Sequence, residues 1–180
     1  MKNLATDFKN IPVFIYGYQD KFKALPGDDS AAVTHVTASA NGNGNGLIDG
    51  LWLPAAVGDE TALFWEDIRR ANLAAGELVP AVGAGNTFQP KNAVGGYIGV
   101  TSAANSPILT LKGSYIICSD SIPGKFAKQL DTTLDDGVSN TGSVQIITQG
   151  TTAAGGTAKT PVEMNAAGAD DTPYLVCMGF

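Results

Sequence analysis

Residues 4–30, LATDFKNIPVFIYGYQDKFKALPGDDS, decide how the rest of the chain folds. Leu4, Phe8, Ile11, Ile15, Tyr18 and Phe22 recur at the alternating three- and four-residue spacing of one α-helical face. Lys, Asn, Asp and Gln lie between them, while Val13, Phe14 and Tyr16 widen the apolar surface beyond the stripe. Pro12 removes a backbone donor and is expected to kink the helix, and Gly17 weakens it. Pro26-Gly27 ends it. The spacing therefore predicts a helix over 1–25, with the stripe Leu4, Phe8, Ile11, Ile15, Tyr18, Phe22 laid on a sheet and apolar surface left over for another neighbour.

Beyond this helix, 26–93 reads mostly as a long loop. The alternation Ala32-Val33-Thr34-His35-Val36-Thr37 suggests a short strand or extended chain. A second helix is predicted over 59–76, where Asp59 and Glu60 suit the start, Leu63, Phe64, Ile68 and Ala71 make a face, and Gly76 suits the stop. Trp65 either extends that face or stands exposed. From 94 to 180 the chain turns rich in Val, Ile, Tyr and Thr, with strands expected over 94–101, 108–118, 142–148 and 173–178. A third helix, near 123–136, is opened by Pro123, lined by Phe126, Leu130 and Leu134, and closed by Gly137. Residues 149–172 are small and polar and read as a surface loop. The fold class is α+β: one domain, 1–180, in which the long N-terminal helix packs on a roughly four-stranded antiparallel sheet.

Composition narrows the function. Charged residues are only 16% of the chain and the formal net charge is −6. The eleven Lys and Arg are scattered, with only Arg69-Arg70 adjacent, which argues against nucleic-acid or anionic-membrane binding. Low charge with abundant glycine suits a secreted or surface protein. There is no apolar run long enough to span a bilayer and no signal-peptide pattern, so the chain is expected to derive from inside a longer protein, Met1 being an added start. Cys118 and Cys177 fit buried thiols or one disulfide. A metal site is not expected from them, because neither forms a CxxC and His35 is the sole histidine.

Catalytic patterns are thin. His35 sits in a Val/Thr alternation, and no GxSxG serine accompanies it. The acid pairs Asp28-Asp29, Asp135-Asp136 and Asp170-Asp171 place adjacent side chains pointing apart, a poor start for acid–base work. No enzyme activity is expected. The stretch NGNGNGLIDG, 41–50, fits the opening of a calcium loop through Asn41, Asn43 and Asn45, with Asp49 nearby. Asn replaces the usual first Asp, and Trp52 stands where a closing Glu would be. Asp28 or Asp29 would have to supply charge. The other reading is a turn built from residues that tolerate left-handed backbone.

The order of these parts resembles the type IV pilin family, including the pseudopilins of type II secretion. The resemblance is carried by YQDKFKALPGDDS, then GNGNGLIDG, FWEDIRRANLAAGEL, SIPGKFAKQLDTTLDDGVSNTGSVQI, and a last strand with a cysteine, YLVCMGF. It spans nearly the whole chain. The family's basic leader, cleavage site and apolar half-helix with a near-terminal glutamate are not in this sequence, so the resemblance implies the soluble part of a longer subunit. It further implies a filament of like subunits, raised by a pilus or type II secretion assembly machinery. That filament would stand on a bacterial surface for adhesion or motility, its subunits anchored in the inner membrane beforehand only through the absent half-helix. No cofactor is implied. The rival readings are a pseudopilin, an extracellular calcium- or glycan-binding module that does not polymerise, and, least supported, a hydrolase. Cys118 and Cys177 are expected to form a disulfide joining the last strand to the second, and 149–172 is expected to tolerate substitution.

Overall fold

A computed structural model describes residues 2–78 and 88–180. The first element is helix α1 (Lys2–Phe22), which runs unbroken through Pro12. Two more helices follow, α2 (Ala32–Val36) and α3 (Glu60–Arg70). The sheet strands are β1 (Ile98–Ser102), β2 (Tyr115–Pro123), β3 (Val144–Thr148) and β4 (Pro173–Gly179). Helix α4 (Gly124–Leu134) continues directly from β2, and the short helix α5 (Pro161–Met164) precedes β4. The four strands form one antiparallel sheet in the order β1-β2-β4-β3. The class is thus α+β, with an N-terminal helix on a four-stranded antiparallel sheet.

Both faces of the sheet are covered. One face, through Ile98, Val100, Ile117, Val144, Ile146 and Val176, shares a core with the α1 stripe and with Phe64 and Ile68 of α3. The opposite face, through Ile116, Cys118, Ile147, Leu175 and Cys177, packs on Trp52, Ile108 and Leu111. Side chains alternate faces along a strand, so Ile122 ought to share the side of Ile116 and Cys118. It lies instead in the first core, because a register shift between Ser119 and Ile122, with Ser121 at φ 60°, flips the parity. That irregularity lets β2 feed α4 on the α1 side of the sheet.

Several expectations need correction. The alternation at 32–37 is helix α2, not strand. Thr34 and His35 donate their N–H groups to the Ala31 carbonyl, and Thr37 at φ 61° stops the turn. No described strand pairs with this segment, so the local turn satisfies its backbone. The second strand begins at Tyr115 rather than near 108, since Pro107 cannot donate to a ladder and Gly113 sits at φ 148°. Ile108 makes only an isolated bridge to Gly156. The first strand begins at Ile98, after a turn in which Asn92 Oδ1 accepts from the N–H groups of Val94 and Gly96. Residues 149–172 are not simply surface. Ala158, Met164 and Ala169 are buried, and Thr160 and Glu163 form a capping box that starts α5. Trp65 is buried with the α3 face.

Candidate functional site

Five of the six stripe residues, Leu4, Phe8, Ile11, Ile15 and Tyr18, are buried. They meet α3 and α4 as well as the sheet. Phe22 is half-buried and lies outside the core; its ring tilts against Tyr18 and stacks on His35 at 5.2 Å. The opposite side of the helix keeps apolar surface in solvent, with Val13 64% and Tyr16 60% exposed. Phe14 is partly buried against the core.

The helix ends against a network of carboxylates. Gly27, at φ 87°, passes so close to α3 that a Cβ would stand 2.5 Å from the Glu60 carbonyl, and its N–H donates to Asp67 Oδ2 at 2.7 Å. The next two residues, Asp28 and Asp29, are buried. Asp29 Oδ2 accepts from the Tyr18 hydroxyl and from His35 Nδ1, each at 2.7 Å, and its Oδ1 accepts from the Ala31 N–H. Burial alone would raise the Asp29 pKa, but the hydrogen bonds from His35, Ala31 and Tyr18 hold it below the ordinary value. Asp28 receives the N–H groups of Asn45 and Gly46 on its two oxygens. Glu60 does the same for Asn43 and Asp49, and Glu66 takes the Ser39 N–H and hydroxyl and pairs with Arg70 Nε at 2.7 Å. Three acids of α3 and two from the Pro-Gly-Asp-Asp turn thus staple 27–50 to the helices. Asp67 is the least satisfied member: among the described residues its Oδ1 has no hydrogen-bond partner, and burial, with the Asp29 and Glu66 charges, pushes its pKa up to about 7.

The calcium candidates lie together in this loop but arranged as a turn. The Oδ1 atoms of Asn41, Asn43 and Asn45 accept backbone N–H groups from Val33, Asn45 and Leu47. The amide Nδ2 groups of Asn43 and Asn45 both donate to Asp49 Oδ2, at 3.0 and 2.8 Å. A hard cation needs converging oxygens, whereas here donors converge on the carboxylates. Trp52, where a closing Glu would stand, is fully buried on the far face of the sheet and donates its indole N–H to the Thr151 carbonyl at 2.8 Å.

Cys118 and Cys177 are direct partners in the β2–β4 register and form a disulfide. His35 is committed to Asp29 and Phe22. Sequence reasoning took Glu60 only as a helix start and missed Glu66 and Asp67, although two acids directly after the Leu63-Phe64-Trp65 run were a visible signal. It also read Asp135 and Asp136 only as an adjacent pair pointing apart. With buried Asp131 their ligand atoms gather within 4.8 Å, and burial beside Asp136 and Asp135 pushes Asp131 up to about 6. Their hydrogen bonds from Gly137, Val138, Thr141 and Val144 organise the 135–144 turn.

No helix among the described residues is long and apolar enough to cross a membrane. No protein-family model, curated protein or solved structure matches the chain.

Proposed function

We propose that this chain is the globular part of a type IV pilus filament subunit, assembling side by side with like subunits through its N-terminal helix. The observation that carries the reading is the division of α1 into two faces. One is buried in the core, and the other offers Val13 and Tyr16 to solvent. Such a helix is held rigidly while keeping apolar area for a neighbour. The carboxylate staples serve the same end, fixing the exit of the helix so that subunits present one geometry. The disulfide joins the two inner strands, β2 and β4, as suits a protein working outside the reducing cytosol. The sequence resemblance supplies the family; adhesion or motility is the function it implies.

The test is made in the native host, on the gene as it stands there. Filaments sheared from the cells and probed with antibody to this domain should contain the protein. Exchanging Val13 and Tyr16 for Asp should remove it from filaments while leaving the isolated domain folded by circular dichroism. Recovery of the protein only as free monomer outside the cell, with the wild-type residues in place, would refute the proposal.

A further inference from the structure

The turn at 41–46 consists of Asn41-Gly42, Asn43-Gly44 and Asn45-Gly46. In an Asn-Gly pair the backbone nitrogen after the asparagine is free to attack its side-chain amide, because glycine has no side chain to shield that nitrogen. The attack needs a side chain folded back over its own peptide and a base for the glycine N–H. It also needs a donor for the amide oxygen as negative charge gathers there.

Asn45 has all three. Its Oδ1 accepts the N–H of Leu47, two residues on, at 2.8 Å, which curls the side chain over the Asn45–Gly46 peptide. The same N–H serves charge developing on Oδ1. The Gly46 N–H donates to the Asp28 carboxylate, Oδ2, at 2.7 Å. Asp49 Oδ2 holds the amide Nδ2 at 2.8 Å. The site is also open to water, since Asn45 and Gly46 are exposed and a Cβ at Gly46 would meet nothing within 4 Å.

Asn43 lacks only the base. Its Oδ1 accepts the Asn45 N–H and its Nδ2 donates to the same Asp49 oxygen, but the Gly44 N–H donates to the Asp28 main-chain carbonyl. A neutral carbonyl accepts a hydrogen bond without taking the proton. The Gly42 N–H likewise donates to the Asp29 carbonyl, and Asn41 Oδ1 is turned away to the Val33 N–H.

We propose that Asn45-Gly46 is a self-modifying site, deamidated by its own backbone with Asp28 as general base. As Asp28 takes the Gly46 proton, the nitrogen lone pair forms a bond to Asn45 Cγ, and the Cγ–Oδ1 π pair moves onto Oδ1. Collapse of that intermediate breaks the Cγ–Nδ2 bond. Nδ2 leaves as ammonia, the Gly46 proton returning to it through Asp28 and solvent. Water, the one co-reactant, then opens the cyclic imide at either carbonyl to give aspartate or isoaspartate at 45. Each converted chain gains a negative charge and loses the Asn45 donor to Asp49, so the exposed turn records the age of the molecule. The inference stands apart from the filament reading, and neither needs the other.

The test is peptide mapping with fragment-ion localisation after incubation of the folded protein at neutral pH. General base catalysis contributes a factor of about a hundred or more, so Asn45 should convert at least about tenfold faster than Asn43 or Asn41. Asp28→Asn, checked for folding by circular dichroism, should bring Asn45 down to the rate of Asn43. The pH profile of the wild type decides independently should that variant not fold. In the fold the Asn45 rate should stay nearly level across neutral pH, whereas in urea all three sites should react alike and accelerate with hydroxide. Equal rates at Asn43 and Asn45 in the fold would overturn the proposal. So would a hydroxide-like rise at folded Asn45, or a folded Asp28→Asn variant that converts as fast as wild type.

Discussion

Asp67→Asn tests the carboxylate network most directly. The side chain is 1% exposed, one oxygen accepts the Gly27 N–H, and the other has no partner among the described residues. Its pKa rises from 3.8 to about 7 because burial and the neighbouring charges of Asp29 and Glu66 disfavour ionisation. The folded chain therefore holds this proton over a range in which the unfolded chain has lost it. For a carboxyl raised in this way, stability is present at low pH and is lost as pH climbs from the unfolded value to the folded one. Each pH unit in that window is worth about 1.4 kcal/mol, so ionising Asp67 costs the fold about 4 kcal/mol between roughly pH 4 and pH 7. Asparagine keeps the shape and an acceptor for Gly27 but cannot ionise. Its new N–H₂ lacks a partner, a pH-independent penalty of about 1–3 kcal/mol. Urea unfolding of wild type and variant at pH 4, 6 and 8 separates the two effects. The variant should be the less stable at pH 4 and gain on wild type steadily, by about 4 kcal/mol in the difference by pH 8. A stability difference that stays constant across the three pH values would show that Asp67 does not titrate on unfolding as argued.

Three further outcomes follow from the packing. Replacing Cys118 and Cys177 together by Ala should cost about 4 kcal/mol in urea unfolding, the chain-entropy value for a separation of 59 residues; an unchanged midpoint would contradict it. Ile15→Ala, at a fully buried stripe position, should cost about 2–5 kcal/mol, whereas Tyr16→Ala on the exposed face should stay within about 0.5 kcal/mol; equal losses would mean the two faces of α1 are misassigned. Melting temperatures in millimolar calcium and in chelator should coincide, because the Asn41, Asn43 and Asn45 oxygens already accept backbone N–H groups; a calcium-dependent rise would show that the loop opens to take the ion.

Periodicity and punctuation carried much of the architecture. The stripe from Leu4 to Tyr18, the face of Leu63, Phe64 and Ile68, and the apolar run Tyr174-Leu175-Val176 before Cys177 each required only nearest neighbours along the chain, so their elements were legible without a fold. Whether Cys118 meets Cys177 depended on strand register, but both lay in strands long enough to make pairing a fair expectation, and the register sets them opposite. The sequence was least informative where partners are distant. Residues 32–37 alternate like a strand, yet no described strand pairs with them, and the local helix satisfies their backbone instead. The parity of Ile122 turned on a shift at Ser121 that no pattern announces. Above all, the sequence showed Asp28, Glu60 and Asp67 without the groups they meet. Only the tertiary structure brought the 27–50 loop against α3, giving Asp28 and Glu60 backbone donors across 11 to 18 residues and leaving Asp67 with one. Hydrophobic periodicity is a property of one element, whereas the satisfaction of a buried charge depends on which elements meet.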